Sequence, residues 1–279
     1  MLKSELSIPG LHEADGTNVV FLKIRLVYIS LFDYSFLARD EIELEHYIVN
    51  SLNKEVFMTT LTPRDDVITA ATAYLRDIDP VMANAIERVG PCTLTSNPNL
   101  FETLVDAIIS QQISVKAADA IMARLRAAIN GGLITPEALL LLDDEALRAV
   151  GLSPQKMRYM RDLTERVSSG QLNLEQLSEL DDEAVITELV KVKGIGRWTA
   201  EMMLIFSLGR PDVLPVDDLG LLEGVREAYG LEARPTAKEV RERGEIWRPY
   251  RTFATWYMWG VRRLAMGIVA RERTRIVSL

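Results

Sequence analysis

Histidine and cysteine are almost missing from this sequence, and their scarcity excludes more chemistry than any single residue present suggests. Two histidines, His12 and His46, occur in 279 residues, both within the first 57. A site beyond residue 57 therefore has no imidazole. Ser-His-Asp, Cys-His and histidine–metal chemistry are closed to it, and catalysis there rests on Asp, Glu, Lys or Tyr. The one cysteine, Cys92, excludes an internal disulfide framework and a cysteine-ligated zinc or iron–sulfur centre. Such usage suits a reducing cytoplasm. No charged-then-apolar leader is visible, nor an uncharged run of roughly 18 residues that could span a bilayer. The nearest, Val19–Phe32, is broken by Lys23 and Arg25. The expectation is a cytoplasmic protein without a membrane partner.

What is present is enough for a core: 48% of residues are hydrophobic and 26% charged, an ordinary globular balance. The net charge of −8 argues against a nucleic-acid partner until it is resolved along the chain. Residues 234–275 hold eleven Lys/Arg against four Asp/Glu, a local excess of about +7. A basic face on an acidic body can hold phosphates, although a solvated helix surface explains the same count.

Residues 1–57 read differently from the rest. Asn18 to Ser30 is rich in β-branched and aromatic residues and predicts a strand, and Met58 resembles a natural start, so the first 57 residues are an appendage or an upstream translation artefact. From residue 62 an N-cap followed by proline recurs: Thr62-Pro63, Asp79-Pro80, Asn97-Pro98, Thr135-Pro136 and Ser153-Pro154, each predicting a helix start. Further helices are expected near 144–149, 155–169, 181–191, 197–208, 218–228, 236–246 and 249–270. The expected fold is all-α over residues 58–279.

One segment carries chemical information: Leu189-Val-Lys-Val-Lys-Gly194-Ile-Gly196-Arg-Trp198-Thr-Ala-Glu. The pattern predicts a helix ending at Lys193, a two-glycine turn and a second helix starting at once. Gly194 suits a left-handed turn and Gly196 a close backbone approach. The amides opening the second helix would face an anion, with Lys191, Lys193 and Arg197 beside it. That is what gripping a DNA phosphate without reading sequence requires, and a ligand-free glycine turn would look the same.

Gly194-Ile-Gly-Arg-Trp-Thr-Ala200, with Leu214-Pro-Val-Asp217-Asp218-Leu-Gly220 twenty residues past the tryptophan, resembles the helix-hairpin-helix–Gly/Pro–Asp (HhH-GPD) DNA glycosylases. Within them it is most similar to the DNA-3-methyladenine glycosylase II branch. Ala107-Ile-Ile-Ser-Gln111-Gln112-Ile-Ser-Val115, Gly151-Leu-Ser-Pro-Gln-Lys156-Met-Arg-Tyr159 and Trp247 to Trp259 extend the match across roughly 62–265. The resemblance implies two helical subdomains with the site between them: 97–208, containing the hairpin 189–203, and 62–90 joined to 216–279. It implies Asp218 as the catalytic carboxylate, with Asp217 a cap or ion-pair partner. It implies a base pocket of Trp198, Met202 and Trp259, and Gln112 as the wedge that fills the vacated stack. Phosphate-binding residues are then Gly194, Gly196, Arg197 and Thr199. The backbone carbonyls of Val190, Val192 and Gly194 would hold a monovalent cation, Na or K, with no other cofactor.

The implied reaction suits these residue types. Breaking the bond between base and deoxyribose builds positive charge on the sugar, which one carboxylate stabilises while it orients water. A base alkylated at N3 or N7 already carries its charge and leaves without protonation. The resemblance thus implies a monomeric, monofunctional glycosylase acting on double-stranded DNA that contains 3-methyladenine- or 7-methylguanine-type lesions. Bifunctional branches place a nucleophilic lysine where this chain has Trp198. The alternatives are a glycosylase for another damaged base and a hairpin module that only binds DNA.

Overall fold

A computed structural model describes residues 65–267, which lie within the larger of the two units into which the chain divides, Glu55–Leu279. The expected strand at residues 18–30, the Met58 start, the Thr62-Pro63 cap and both histidines fall outside the described residues.

Among the described residues the regular structure is entirely helical. The helices are α1 (Asp65–Ile78), α2 (Pro80–Val89), α3 (Leu100–Ser110), α4 (Val115–Ala128), α5 (Pro136–Leu140) and α6 (Asp144–Ala149). They continue with α7 (Pro154–Ser168), α8 (Asp182–Leu189), α9 (Arg197–Phe206), α10 (Leu219–Tyr229), α11 (Ala237–Arg243) and α12 (Arg251–Ala265). Local chemistry sets most of the starts. Asp79, Thr135 and Ser153 each accept a backbone N–H two or three residues on, with proline in the first turn, so the fixed proline φ and the satisfied amide act together. Ser114 caps α4 in the same way.

One cap differs from the sequence expectation. Asn97-Pro98 does not open α3; the cap is Asn99, whose side chain accepts the Glu102 N–H, while Asn97 Oδ1 accepts the amide of Asn99. Pro98 lies ahead of the helix, its carbonyl accepting Leu100 N at 2.9 Å.

The helices pack as two groups. In one, α3 lies against α4, α7 and α9, α7 also covers α5 and α6, and α8 meets α9. In the other, α12 is the central helix, packed on α10, α2 and α1. The largest fully buried side chains, Trp247, Trp259, Tyr257 and Phe253, gather on or beside α12. Gly224 of α10 lets that helix approach the main chain of Met258: a Cβ there would lie 2.6 Å from the Met258 carbonyl carbon. The chain passes between groups at Ser207–Asp218. That crossing is tied down where Arg251 grips Asp212 at 2.7 Å and the Thr252 hydroxyl donates to Arg210 O at 2.6 Å.

Candidate functional site

The hairpin is built from α8, the turn 190–196 and α9. α8 stops at Leu189, four residues before the expected Lys193; Val190 N donates back to Ile186 O and Ile195 N to Val192 O. The residues between helix and glycine make turns that the apolar periodicity does not distinguish from helix. Gly194 has φ +84°, a left-handed conformation, and a Cβ on it would lie 2.6 Å from the Tyr159 ring carbon Cγ. Glycine is therefore required here twice, by backbone and by space. Gly196 is the N-cap of α9 and has no side chain with which to satisfy the first amides. No atom comes within 4 Å of where its Cβ would be. Open space in front of uncapped helix amides is a geometry for an anion.

The carboxylate is placed by the second group. Leu214-Pro-Val-Asp turns so that Asp218 N donates to Pro215 O, and Asp218 becomes the N-cap of α10. The cap is thus Asp218 itself and not Asp217, which is exposed. Asp218 is only 3% exposed, and its side chain accepts three hydrogen bonds. Oδ1 takes Leu221 N at 2.6 Å and Trp259 Nε1 at 2.7 Å; Oδ2 takes Trp198 Nε1 at 2.8 Å. Trp198 comes from α9 and Trp259 from α12, so one carboxylate joins the hairpin helix to α10 and α12 of the other group.

The three aromatic-pocket candidates are not equivalent. Trp198 is half-buried, whereas Met202 and Trp259 are each 1% exposed. The ring of Trp259 lies nearly parallel to Phe206, centroids 5.7 Å apart and planes at 12°. Phe206 had no signal beyond its place on an apolar helix.

Arg197 does not stand free beside the hairpin. Nη1 and Nη2 grip Glu183 at the start of α8, and Nε meets Glu201 Oε1 at 3.1 Å. Glu201 is buried on α9; burial pushes its carboxyl up to about 7, against the pull of Arg197 and with the help of Asp217. An acid four residues after an arginine on an apolar helix was the available signal for this pair. Thr199, 8% exposed, lies in the first turn of α9. Lys191 pairs with Glu188 and Lys193 with Asp162.

The turn between α3 and α4 presents Gln112, which is exposed and has φ +58°, uncommon for a residue with a side chain. Its neighbours lock the turn: Gln111 Nε2 donates to Gly194 O at 2.8 Å and Lys156 Nζ to Ile109 O at 2.6 Å. The α3–α4 turn and the hairpin are thereby bonded to one another.

Among the described residues, much of the basic excess of 234–275 is paired and does not stand as a free positive face. Arg248 and Arg251 pair with Asp212, Arg234 with Glu223 and Arg262 with Glu227, all acids from before the segment, while Arg243 lies 4.1 Å over Tyr229. Counting along the chain missed partners that the fold supplies. Cys92 is equally quiet: burial pushes its thiol up to about 11. Among the described residues no helix is long and apolar enough to cross a membrane, and no cluster of three His, Cys, Asp or Glu is set to hold a metal.

Comparison with known proteins matches residues 105–249, hairpin and Asp218 included, to the family model of HhH-GPD superfamily base excision DNA repair proteins. The chain belongs to that superfamily. It is 38% identical over 217 residues to DNA-3-methyladenine glycosylase 1 of Schizosaccharomyces pombe, covering 76% of this chain and 92% of the relative. Two solved structures are similar over nearly their whole length. A DNA-3-methyladenine glycosidase from Bacillus halodurans gives a TM-score of 0.66 at 39% identity, covering 71% of this chain and 91% of that one. The 3-methyladenine DNA glycosylase of Schizosaccharomyces pombe, in complex with abasic DNA, gives 0.62 at 35%, covering 74% of this chain and all of that one.

Proposed function

We propose that this chain is a monofunctional DNA glycosylase that hydrolyses the N-glycosidic bond of alkylated bases, of the 3-methyladenine and 7-methylguanine type, in the base excision repair of double-stranded DNA. The observation that carries the reading is Asp218, buried at a helix N-terminus between two indole N–H groups and adjoining the uncapped hairpin helix. A carboxylate so placed opposes positive charge developing on the sugar, and its fixed donors leave nothing to reorganise as the bond stretches.

Binding and chemistry divide between the helix groups. The amides opening α9 take a phosphate, with Gly196 leaving room for it. Gln112, on its outward turn, enters the stack as the target nucleotide rotates out, offsetting an unstacking cost of a few kcal/mol. The exposed part of Trp198 offers an electron-rich face to a cationic purine, worth about 0.5–2 kcal/mol. The indole at 198 has no amine to form a Schiff base, so the product is an abasic site with its strand intact.

The hairpin carbonyls fit a monovalent cation by donor type. Those of Val192 and Gly194 each accept one hydrogen bond, from Ile195 N and Gln111 Nε2, and a carbonyl has a second lone pair. With Val190 they would hold a cation whose charge supports the phosphate.

Asp218→Asn tests the function. Asparagine still caps α10, so folding and DNA affinity are expected to persist. Release of 7-methylguanine from a methylated duplex is expected to fall at least a hundredfold. Undiminished release would end the assignment.

A further inference from the structure

Trp259 has the environment of a structural tool and not of a binding surface. It is 1% exposed, Phe206 covers one ring face at 5.7 Å, and its one polar atom donates to Asp218 Oδ1. The same oxygen caps α10 through Leu221 N. Two donors on Oδ1, one from α12 and one from α10, fix both the position and the rotation of the carboxylate. Oδ2 has a single donor, Trp198, which is half-buried and belongs to the hairpin side. The two oxygens therefore differ: Oδ1 is committed to the fold, and Oδ2 keeps an acceptor site for the reacting sugar or its water.

We propose that Trp259 is a positioning residue that acts through its indole N–H on Asp218, leaving Oδ2 as the reacting oxygen, and that it offers no stacking face to the extruded base. The proposal rests on the glycosylase reading. It assigns the two tryptophans different work: Trp198 meets the nucleotide, and Trp259 holds the group that reacts with it.

The test is Trp259→Phe in the full chain. Phenylalanine retains an aromatic ring against Phe206 and removes the donor, together with part of the indole's bulk. Single-turnover release of 7-methylguanine is expected to slow roughly ten- to a hundredfold, the worth of one hydrogen bond to a charged group. KM and the affinity for an abasic duplex are expected to stay within about twofold. Trp198→Phe, by contrast, is expected to raise KM as well. A second measurement needs no turnover. The indole N–H resonances of Trp198 and Trp259 in a proton–nitrogen spectrum are expected to move in Asp218→Asn, while those of Trp247 and Trp256 stay. An unchanged rate in Trp259→Phe, a rise in KM without loss of rate, or a stationary Trp259 resonance would each overturn the proposal. Failure of the unaltered protein to release any alkylated base would overturn the glycosylase reading itself. The indole spectrum separates the two failures, because it detects the Trp259–Asp218 bond whether or not bases are released.

Discussion

Replacing Gly224 by alanine would separate α10 from α12 and thereby disturb a carboxylate six residues away. An added Cβ would lie 2.6 Å from the carbonyl carbon of Met258 and 3.1 Å from its Cα, where ordinary van der Waals contact begins at 3.4 Å. The obstacle is main chain in the middle of a helix, so no side-chain rotation relieves it, and the two helices must part by roughly 1 Å. Overpacking of this kind costs about 1–3 kcal/mol and, against backbone, the upper end is expected. Alanine returns about 1 kcal/mol through its better helix propensity. The net loss is then ~2 kcal/mol, or about 4–8 °C in melting temperature for a domain of this size. Activity should suffer more than stability. Asp218 caps α10 and Trp259 adjoins Met258 on α12, so a 1 Å shift stretches their 2.7 Å bond beyond hydrogen-bonding range. Base release is expected to fall at least tenfold. Thermal melting and single-turnover release, measured together, check both parts. Gly230→Ala is the control: its Cβ meets nothing within 4 Å, so only the left-handed φ of +61° is penalised, by ~1 kcal/mol, and release should persist. If Gly224→Ala melts no lower than the unaltered protein and releases bases at the same rate, the close approach of these helices does not position the site.

Two further substitutions probe the hairpin. Gly196→Ala meets no neighbouring atom, so stability should change by less than about 1 kcal/mol, while the methyl occupies the space reserved for a phosphate; affinity for an abasic duplex, read by fluorescence anisotropy, is expected to fall about tenfold or more, and an unchanged value would place the strand elsewhere. Glu201→Gln tests the buried acid on α9. Because burial raises the folded pKa to about 7 from an ordinary 4.5, the protonated form favours folding; that stability is complete below pH 4.5 and is lost as pH rises through 7. Glutamine removes the loss, so the folding stability of the variant, read from thermal melts, is expected to gain on the unaltered protein between pH 5 and pH 8 by on the order of 1–3 kcal/mol. A constant difference across that range would mean that Glu201 is ionised throughout.

What the sequence made legible was what neighbouring residues decide. Ser153-Pro154 and Thr135-Pro136 open helices because cap and proline act within one turn, and Gly194 is left-handed because the turn demands it locally. Asn97 misled because two asparagines flank Pro98 and either can cap; the one whose side chain reaches Glu102 N is Asn99, three residues before it. Lys193 misled because Val190 and Val192 continue the apolar rhythm of α8 into a turn. Tertiary partners were the larger omission. Arg197 looks like a free cation until Glu183 and Glu201 fold onto it, and the basic stretch after residue 234 looks like a charged face until Asp212, Glu223 and Glu227 arrive from earlier in the chain. The resemblance to the superfamily pointed to Asp218, Trp198 and Trp259 as one site, but not to the indole bonds that distinguish the two carboxylate oxygens.

The same bonds bear on which bases this site can release. A carboxylate offers about four acceptor positions, and Leu221, Trp259 and Trp198 occupy three. What remains suits one water or the electron-poor sugar, and nothing in that arrangement donates a proton to a departing base. The described residues contain no histidine to do so, and the one carboxyl that burial holds near neutrality, Glu201, is bound to Arg197. A neutral base leaves as an anion unless an acid protonates it, whereas a base alkylated on a ring nitrogen leaves as a neutral molecule. Discrimination against undamaged DNA then needs no close-fitting pocket. On the proposed glycosylase reading it follows from a site that stabilises the sugar cation and withholds help from the leaving group, so that only bases already carrying positive charge depart at a useful rate.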